Sequence, residues 1–274
     1  GGANRGIFTS GVTDCLKEHD IYLPYVISVS VGTCNAIDYV SRQVGRTKSC
    51  MIPEGRNIPP INWRHILKKG SMINLDMVFD EYPNRIVPFD YDTYFSSEIR
   101  SEFVVTNCNS GRAEYLSEGK VKKRLMNICR ASCSMPYLCE MTKLDGNLYL
   151  DGGISDAIPI RHAIGEGFKK NIIVLTREKG YSKKDSRMLK IFSRILYRKY
   201  PELIRLLDNR IQRYNDTMDY IQQLERKKEV LVIRPEKVLV NRTSNDTQKM
   251  KQFYMQGYKI TEERLQEIRK FIGM

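Results

Sequence analysis

Strand-like and helix-like segments alternate along this chain, which predicts an α/β fold. Three observations carry that expectation. A β-branched run, Tyr25-Val26-Ile27-Ser28-Val29, gives way near Gly32 to Ala36, Ile37, Val40 and Val44 at helical spacing. The unbroken apolar run Asn171–Leu175 has the character of a parallel core strand. The 274 residues, 41% of them hydrophobic, can bury one large core, read as one α/β domain with a helical appendage.

The first residues are Gly1-Gly2-Ala3-Asn4-Arg5-Gly6, followed by Ile7, Gly11, Val12, Cys15 and Leu16 on one helical face. A glycine loop that opens a helix offers free backbone N–H groups to an anion, either a phosphate or a developing oxyanion. The loop lacks the G-K-[ST] of a P-loop and the G-x-G-x-x-G of a dinucleotide site. The plainer reading is a flexible terminus. Such a loop normally follows a strand, so a strand is expected upstream of Gly1. Without it, the edge beside Tyr25–Val29 lies open to self-association.

Ser28-Val29-Ser30-Val31-Gly32 comes next, between strand and helix. A serine held on a sharp strand-to-helix turn projects its hydroxyl from the top of the sheet, the geometry of a nucleophile elbow. Strand and helix approach closely there, and Gly32 meets that need. An S-x-S-x-G in isolation also describes an ordinary loop, and the rest of the chain must decide.

Residues 54–100 hold the one tryptophan, Trp63, and the aromatics Phe79, Tyr82, Phe89, Tyr91, Tyr94 and Phe95, read as a loop-rich cap or a satellite of the core. Glu102–Asn107 is a strand with Ala113–Leu116 beside it, and Val121, Leu125, Ile128 and Cys129 mark a helix ending near Ser134. Asn147–Leu150 is a short strand leading into Asp151-Gly152-Gly153, and residues 158–167 form a short helix. From Lys183 the chain turns helical and basic, with Pro201 opening a helix striped by Leu203, Leu207, Ile211, Tyr214, Met218 and Ile221. Val230–Ile233 is a last strand, and Thr247–Ile272 a C-terminal helix.

A serine nucleophile needs a group to take its proton. The histidines are His19, His65 and His162, and the serine–acid–histidine order of a triad leaves His162 as the challenger. Asp151 is the stronger candidate: it follows an apolar strand and precedes two glycines, so its carboxylate can stand at a strand end. Partial burial would raise its pKa and improve it as a base. The competing reading of Asp151-Gly152 is a hairpin turn.

The net charge of +13 permits attraction to anionic membranes or nucleic acid, and residues 181–230, with 13 Lys/Arg and 7 Asp/Glu, carry +6 of it. No zinc finger or RNP-like aromatic strand accompanies the charge. Seven scattered cysteines read as reduced thiols of a cytosolic protein, and Cys129, Cys133 and Cys139 lack the paired spacing of zinc ligands, so no metal site is expected. No apolar run approaches the length of a membrane span.

Together, Gly1-Gly2-Ala3-Asn4-Arg5-Gly6, Ser28-Val29-Ser30-Val31-Gly32 and Asp151-Gly152-Gly153 resemble the three spaced motifs of the bacterial patatin-like phospholipase family, G-G-G-x-[RK]-G, G-x-S-x-G and D-G-[GA]. The resemblance continues through Ile7–Val12, Arg130-Ala131-Ser132 and Ile154-Ser155-Asp156, covering roughly residues 1 to 180. Ala3 stands for the third glycine of the loop and Ser28 for the first glycine of the elbow. The resemblance implies a three-layer α/β fold, with a mostly parallel central sheet and helices on both faces. Residues 1–180 would form the catalytic core and 181–274 a basic, mainly helical part packed on it.

It also implies a lipid acyl hydrolase with Ser30 as nucleophile and Asp151 as base. Gly1, Gly2 and Ala3 would form the oxyanion hole, Arg5 would fix that loop, and Gly152 and Gly153 would support the aspartate. The expected partners are a lipid or other acyl-ester substrate and an anionic membrane surface, with no nucleic acid and no cofactor. A cytoplasmic protein peripheral to the membrane follows. The rival readings are a catalytically silent scaffold that binds lipid or protein, and a basic nucleic-acid-binding protein.

Overall fold

The computed structural model describes residues 1–52, 73–182, 186–244 and 246–274. Trp63, His65 and the first part of the 54–100 cap lie outside the described residues.

The glycine loop is no flexible terminus. A 3₁₀ turn over Ala3–Gly6, all four residues buried, leads into α1 (Ile7–Glu18). Ile7, Val12, Cys15 and Leu16 face the interior, as their spacing predicts. β1 (Tyr25–Val29) then turns into α2 (Gly32–Val40), followed by α3 (Arg46–Met51). Val44 does not extend α2. The helix closes when Gln43 N–H donates to Asp38 O at 2.9 Å, and Val44 is left exposed.

The described part of the cap is helical rather than loop-rich. It comprises a π-helical segment, Met77–Ile86, and α4 (Tyr91–Ser96). Phe79, Phe89, Tyr91 and Tyr94 are buried in the main core with Ala36, Ile37 and Leu125, because apolar rings of this size gain most by leaving water.

The central sheet is mixed. It contains β2 (Arg100–Asn107), β3 (Ala113–Leu116), β4 (Thr142–Leu144) and β5 (Asn147–Asp151) in the order β1-β2-β5-β4, with β3 also on β2. α5 (Lys122–Cys133) packs across β2, β4 and β5. β1 is parallel to β2, whereas β3 and β5 run antiparallel to it. β4 and β5 form a hairpin through Asp145-Gly146, both at positive φ. The Asp-Gly hairpin signal therefore belongs to this pair and not to Asp151-Gly152.

Register decides where the site forms. β3 pairs with residues 103–106 of β2, which overlap both the β1 and the β5 pairings, so β1 and β5 share the opposite side of β2. Val29 lies against Val104 and Asp151 against Val105. The two strands thus run toward each other along β2, and their C-terminal ends meet.

After α6 (Ile160–Gly165), β6 (Asn171–Val174) pairs in parallel with β7 (Val230–Ile233) in a separate two-stranded sheet. Between these strands come α7 (Arg187–Leu196) and α8 (Pro201–Arg226), with Pro201 at the start of the helix. Leu203, Leu207, Met218 and Ile221 of the apolar stripe are buried, and Ile211 and Tyr214 partly so. The expected C-terminal helix is two helices, α9 (Thr247–Glu263) and α10 (Leu265–Ile272). The break falls at Arg264, whose Nη1 donates to Val232 O at 2.7 Å.

α9 docks on α1 at backbone distance. A Cβ on Gly11 would lie 2.0 Å from Tyr254 O, and one on Gly257 would lie 2.2 Å from Phe8 O. Ile7, Phe8, Val12 and Leu16 accordingly share a core with Met250, Phe253, Tyr254 and Ile268. Among the described residues, β1 and β6 each pair on one side only. A cavity of about 630 Å³ lies between them, lined by all of β1 and by residues 171–176, and reaching Ser30.

Candidate active site

Ser30 occupies the turn between β1 and α2 with φ 58, a left-handed conformation that side chains rarely adopt. Its neighbours over-determine it. Ser30 N–H donates to Ser132 Oγ at 3.0 Å, and Ser132 Oγ donates to Val104 O at 2.7 Å. The Ser30 carbonyl accepts from both Thr33 N–H and Thr33 Oγ1, each at 2.8 Å. A Cβ on Gly32 would sit 3.7 Å from both Gly1 N and Ser28 Cβ. Ser28 itself lies in β1 opposite Phe103, and its buried Oγ has no hydrogen-bond partner among the described residues.

Asp151 ends β5, and the structure places its carboxylate beside Ser30, with both residues lining one cavity. Oδ1 also accepts Gly153 N–H at 2.7 Å. Both groups are buried, at 7% exposure for Ser30 and 6% for Asp151. Burial raises the Asp151 pKa above the usual aspartate value, while the neighbouring Ser30 and the bond from Gly153 N–H pull the other way. The two glycines have separate reasons. A Cβ on Gly152 would lie 2.2 Å from Val104 O, so the chain meets β2 too closely for a side chain. Gly153 supplies its N–H to the carboxylate beneath it, where a Cβ would lie 2.9 Å from Oδ1.

The loop borders the same point. A Cβ on Gly1 would lie 3.2 Å from Ser30 Cβ, and Thr176 Oγ1 donates to Gly1 O at 2.8 Å. Gly2 (φ 130) and Ala3 (φ 51) carry the tight turn, so alanine adopts the left-handed conformation where the family motif has glycine. Arg5 is buried against Gly2, where a Cβ would lie 3.1 Å from Arg5 Nη2. Asn4 ties the loop to the C-terminal segment through Arg242 O and Ser244 O.

His162 is held elsewhere. Its Nε2 pairs with Glu102 Oε2 at 2.8 Å, and its ring stacks on Tyr115 at 3.5 Å. Glu102 also accepts from Tyr25 and Arg100. Burial works against the charge on Glu102, but these three bonds hold its pKa below the usual glutamate value. Ser132 and Thr176 escape sequence reasoning as positioning residues, because each meets the site through a partner far away in the chain. A second, largely apolar cavity of about 100 Å³ opens at Ser30 and Ala3, between Val31, Cys34, Val78, Phe79 and Met126. All seven cysteines are free thiols. Among the described residues, no group of three or more His, Cys, Asp or Glu is arranged to hold a metal ion.

A strand-to-helix serine, a strand-end aspartate and a glycine loop converge on one cavity of an α/β fold. A family model for patatin-like phospholipase matches residues 1–164, well over half of the chain. The chain belongs to the patatin-like phospholipase family. A second model, a domain of unknown function (DUF6363), matches residues 200–273. Over 185 residues the chain is 28% identical to the uncharacterized protein YjjU of Escherichia coli strain K12, a match covering 64% of this chain and 50% of YjjU. The chain thus spans about half the length of that relative. Among solved structures it is similar in fold to VipD from Legionella pneumophila, with TM-score 0.50 and 15% identity, over 97% of this chain and 66% of VipD. No helix of the described residues is long and apolar enough to cross a membrane.

Proposed function

We propose that this chain is a serine acyl hydrolase of lipid esters that uses a Ser30–Asp151 dyad. The observation that carries the reading is the placement of Ser30, on a strained strand-to-helix turn bordered by Gly1–Ala3, beside a buried aspartate in one cavity, where the ends of β1 and β5 meet along β2. Ser30 Oγ attacks the ester carbonyl while Asp151 takes its proton. Backbone N–H groups of the Gly1–Ala3 loop receive the developing oxyanion, with Arg5 bracing the loop. Asp151 returns the proton to the departing alcohol, leaving an acyl-enzyme. Asp151 then draws a proton from a water whose oxygen attacks the acyl carbonyl, and passes it to Ser30 Oγ as the acyl–serine bond breaks and the fatty acid leaves. The apolar cavity at Ser30 is the space into which the acyl chain extends.

Attachment to an anionic lipid surface is assigned to α7. Its buried face is Ser193 and Tyr197, while Met188, Leu189, Ile191, Phe192, Ile195 and Leu196 are exposed. Those six are most of the ten exposed large hydrophobics among the described residues. α10 is also strongly amphipathic, yet it turns Leu265, Ile268 and Phe271 into the core. An apolar face turned outward, beside Arg187, Arg194, Arg198 and Lys199, suits a helix lying in a membrane interface. Tyr137 connects α7 to the site. Its hydroxyl bonds Ser193 Oγ, its N–H donates to Tyr197 OH, and the preceding Met135 and Pro136 line the Ser30 cavity.

The test is fluorophosphonate labelling together with a chain-length series of esters and phospholipids, on wild type and Ser30→Ala. Labelling and turnover that both disappear with the hydroxyl are the expected result. A wild-type protein that neither labels nor hydrolyses any ester would leave a lipid-binding scaffold instead.

A further inference from the structure

The cavity at Ser30 is lined by Arg5, Arg177, Arg210 and Arg242, and Asp151 is the one carboxylate among its lining residues. Arg5 is 5% exposed, and its buried Nε has no hydrogen-bond partner among the described residues. The buried Nε of Arg177 likewise has none. No ion pair joins Arg5, Arg177 or the exposed Arg242 to a carboxylate among the described residues, although the surface arginines Arg194 and Arg205 both find one. Buried donors of this strength are normally satisfied, and a guanidinium left without an acceptor is costly.

The surroundings sharpen the point. The Arg177 guanidinium lies over the Tyr181 ring at 4.2 Å, and Tyr181 meets Tyr214 edge-on. Two aromatic rings thus support one side of the cluster. Burial first, and then the charges of Arg177 and Arg242, push the Arg5 pKa down to about 10. Like charges have been gathered here in one cavity instead of being dispersed.

We infer that Arg5, Arg177 and Arg242 form a cradle for a phosphate-type oxyanion beside Ser30. Planar guanidinium forks match the oxygens of such a group. The anion comes either from the head group of a lipid ester or from free phosphate. The first source rests on the acyl-hydrolase reading; the second does not.

Calorimetry with inorganic phosphate on the Ser30→Ala protein tests the cradle without any turnover. Saturable binding is expected, and it should weaken by about 10- to 100-fold in Arg177→Gln and Arg242→Gln. Arg177→Lys, which keeps the charge but not the fork, should fall between, and unchanged circular dichroism would show that each variant folds. No measurable phosphate binding, or binding equal in all variants, would overturn the cradle. Kinetics in the Ser30 background then separate the sources, using a lysophospholipid and a monoacylglycerol with the same acyl chain. A KM that rises only for the phosphate-bearing ester assigns the head group. Equal kinetics on both esters, with phosphate binding still lost, assign free phosphate. If the wild type hydrolyses nothing while phosphate still binds, the cradle stands and the hydrolase reading falls.

Discussion

Asp151 faces opposite demands from folding and from chemistry. Its pKa is raised by burial, so the native state favours the protonated carboxyl. That contribution is complete below the ordinary aspartate pKa of about 3.9 and is lost as pH rises through the higher folded value. Asp151→Asn should therefore make the protein more stable than wild type at pH 7, with the difference shrinking toward pH 3; urea melts across that range measure it. The same change should reduce kcat by about 10²–10⁴, since an amide cannot accept the serine proton. In wild type, the acid limb of kcat/KM should have its midpoint above the usual aspartate range. His162→Ala should leave the rate nearly unchanged and cost about 1–3 kcal/mol of stability, because Glu102 loses a buried partner. If instead His162→Ala is as inactive as Ser30→Ala while Asp151→Asn still turns over, the histidine is the base and the dyad is wrong.

At the scale of elements, α7 is the segment whose orientation its own fold does not explain. A helix free to rotate would turn Met188, Ile191 and Ile195 inward, each gaining about 1.5–3 kcal/mol on full burial. Tyr137 instead fixes the Ser193–Tyr197 face against the protein. Ile191→Asp with Ile195→Asp should abolish co-sedimentation with anionic vesicles and leave hydrolysis of a soluble short-chain ester intact. Raising salt should weaken wild-type binding, because the flanking cations are screened. Sedimentation that is equal on neutral and anionic vesicles, or a wild type that is a dimer dissociated by these changes, would refute the membrane assignment.

At the scale of the whole molecule, the open feature is the slot between β1 and β6. Among the described residues neither strand pairs on the side that faces it, and Gly1 lies there between Ser30 and Thr176. The C-terminal part is welded to this frame, since β7 completes β6 and α9 meets α1 through Gly11 and Gly257. Gly257→Ala should therefore destabilise the whole chain by about 1–3 kcal/mol, with residues 1–180 and 181–274 still unfolding in one thermal transition.

Local chemistry made much of this legible in the chain itself. β-branched runs marked β1, β6 and β7, and helical spacing marked α1, α5 and α8. Gly152 beside Asp151 announced a close backbone approach, because only a missing side chain permits it, whereas a Cβ on Gly32 beside Ser30 would meet nothing nearer than 3.7 Å, so the expected crowding of strand and helix there is absent. Other features lay beyond such reading. The helical state of the cap and the break at Arg264 each depend on partners distant in sequence. So does the meeting of Ser30 with Asp151, which needs β1 and β5 to run head-on along one side of β2. The arginine cradle draws on residues 5, 177 and 242, and no periodicity connects them. Periodicity and turn chemistry act over a few residues, so the sequence determined the elements and the residue types of the site. Register and long-range packing, set by the fit of whole surfaces, decided which of those residues meet.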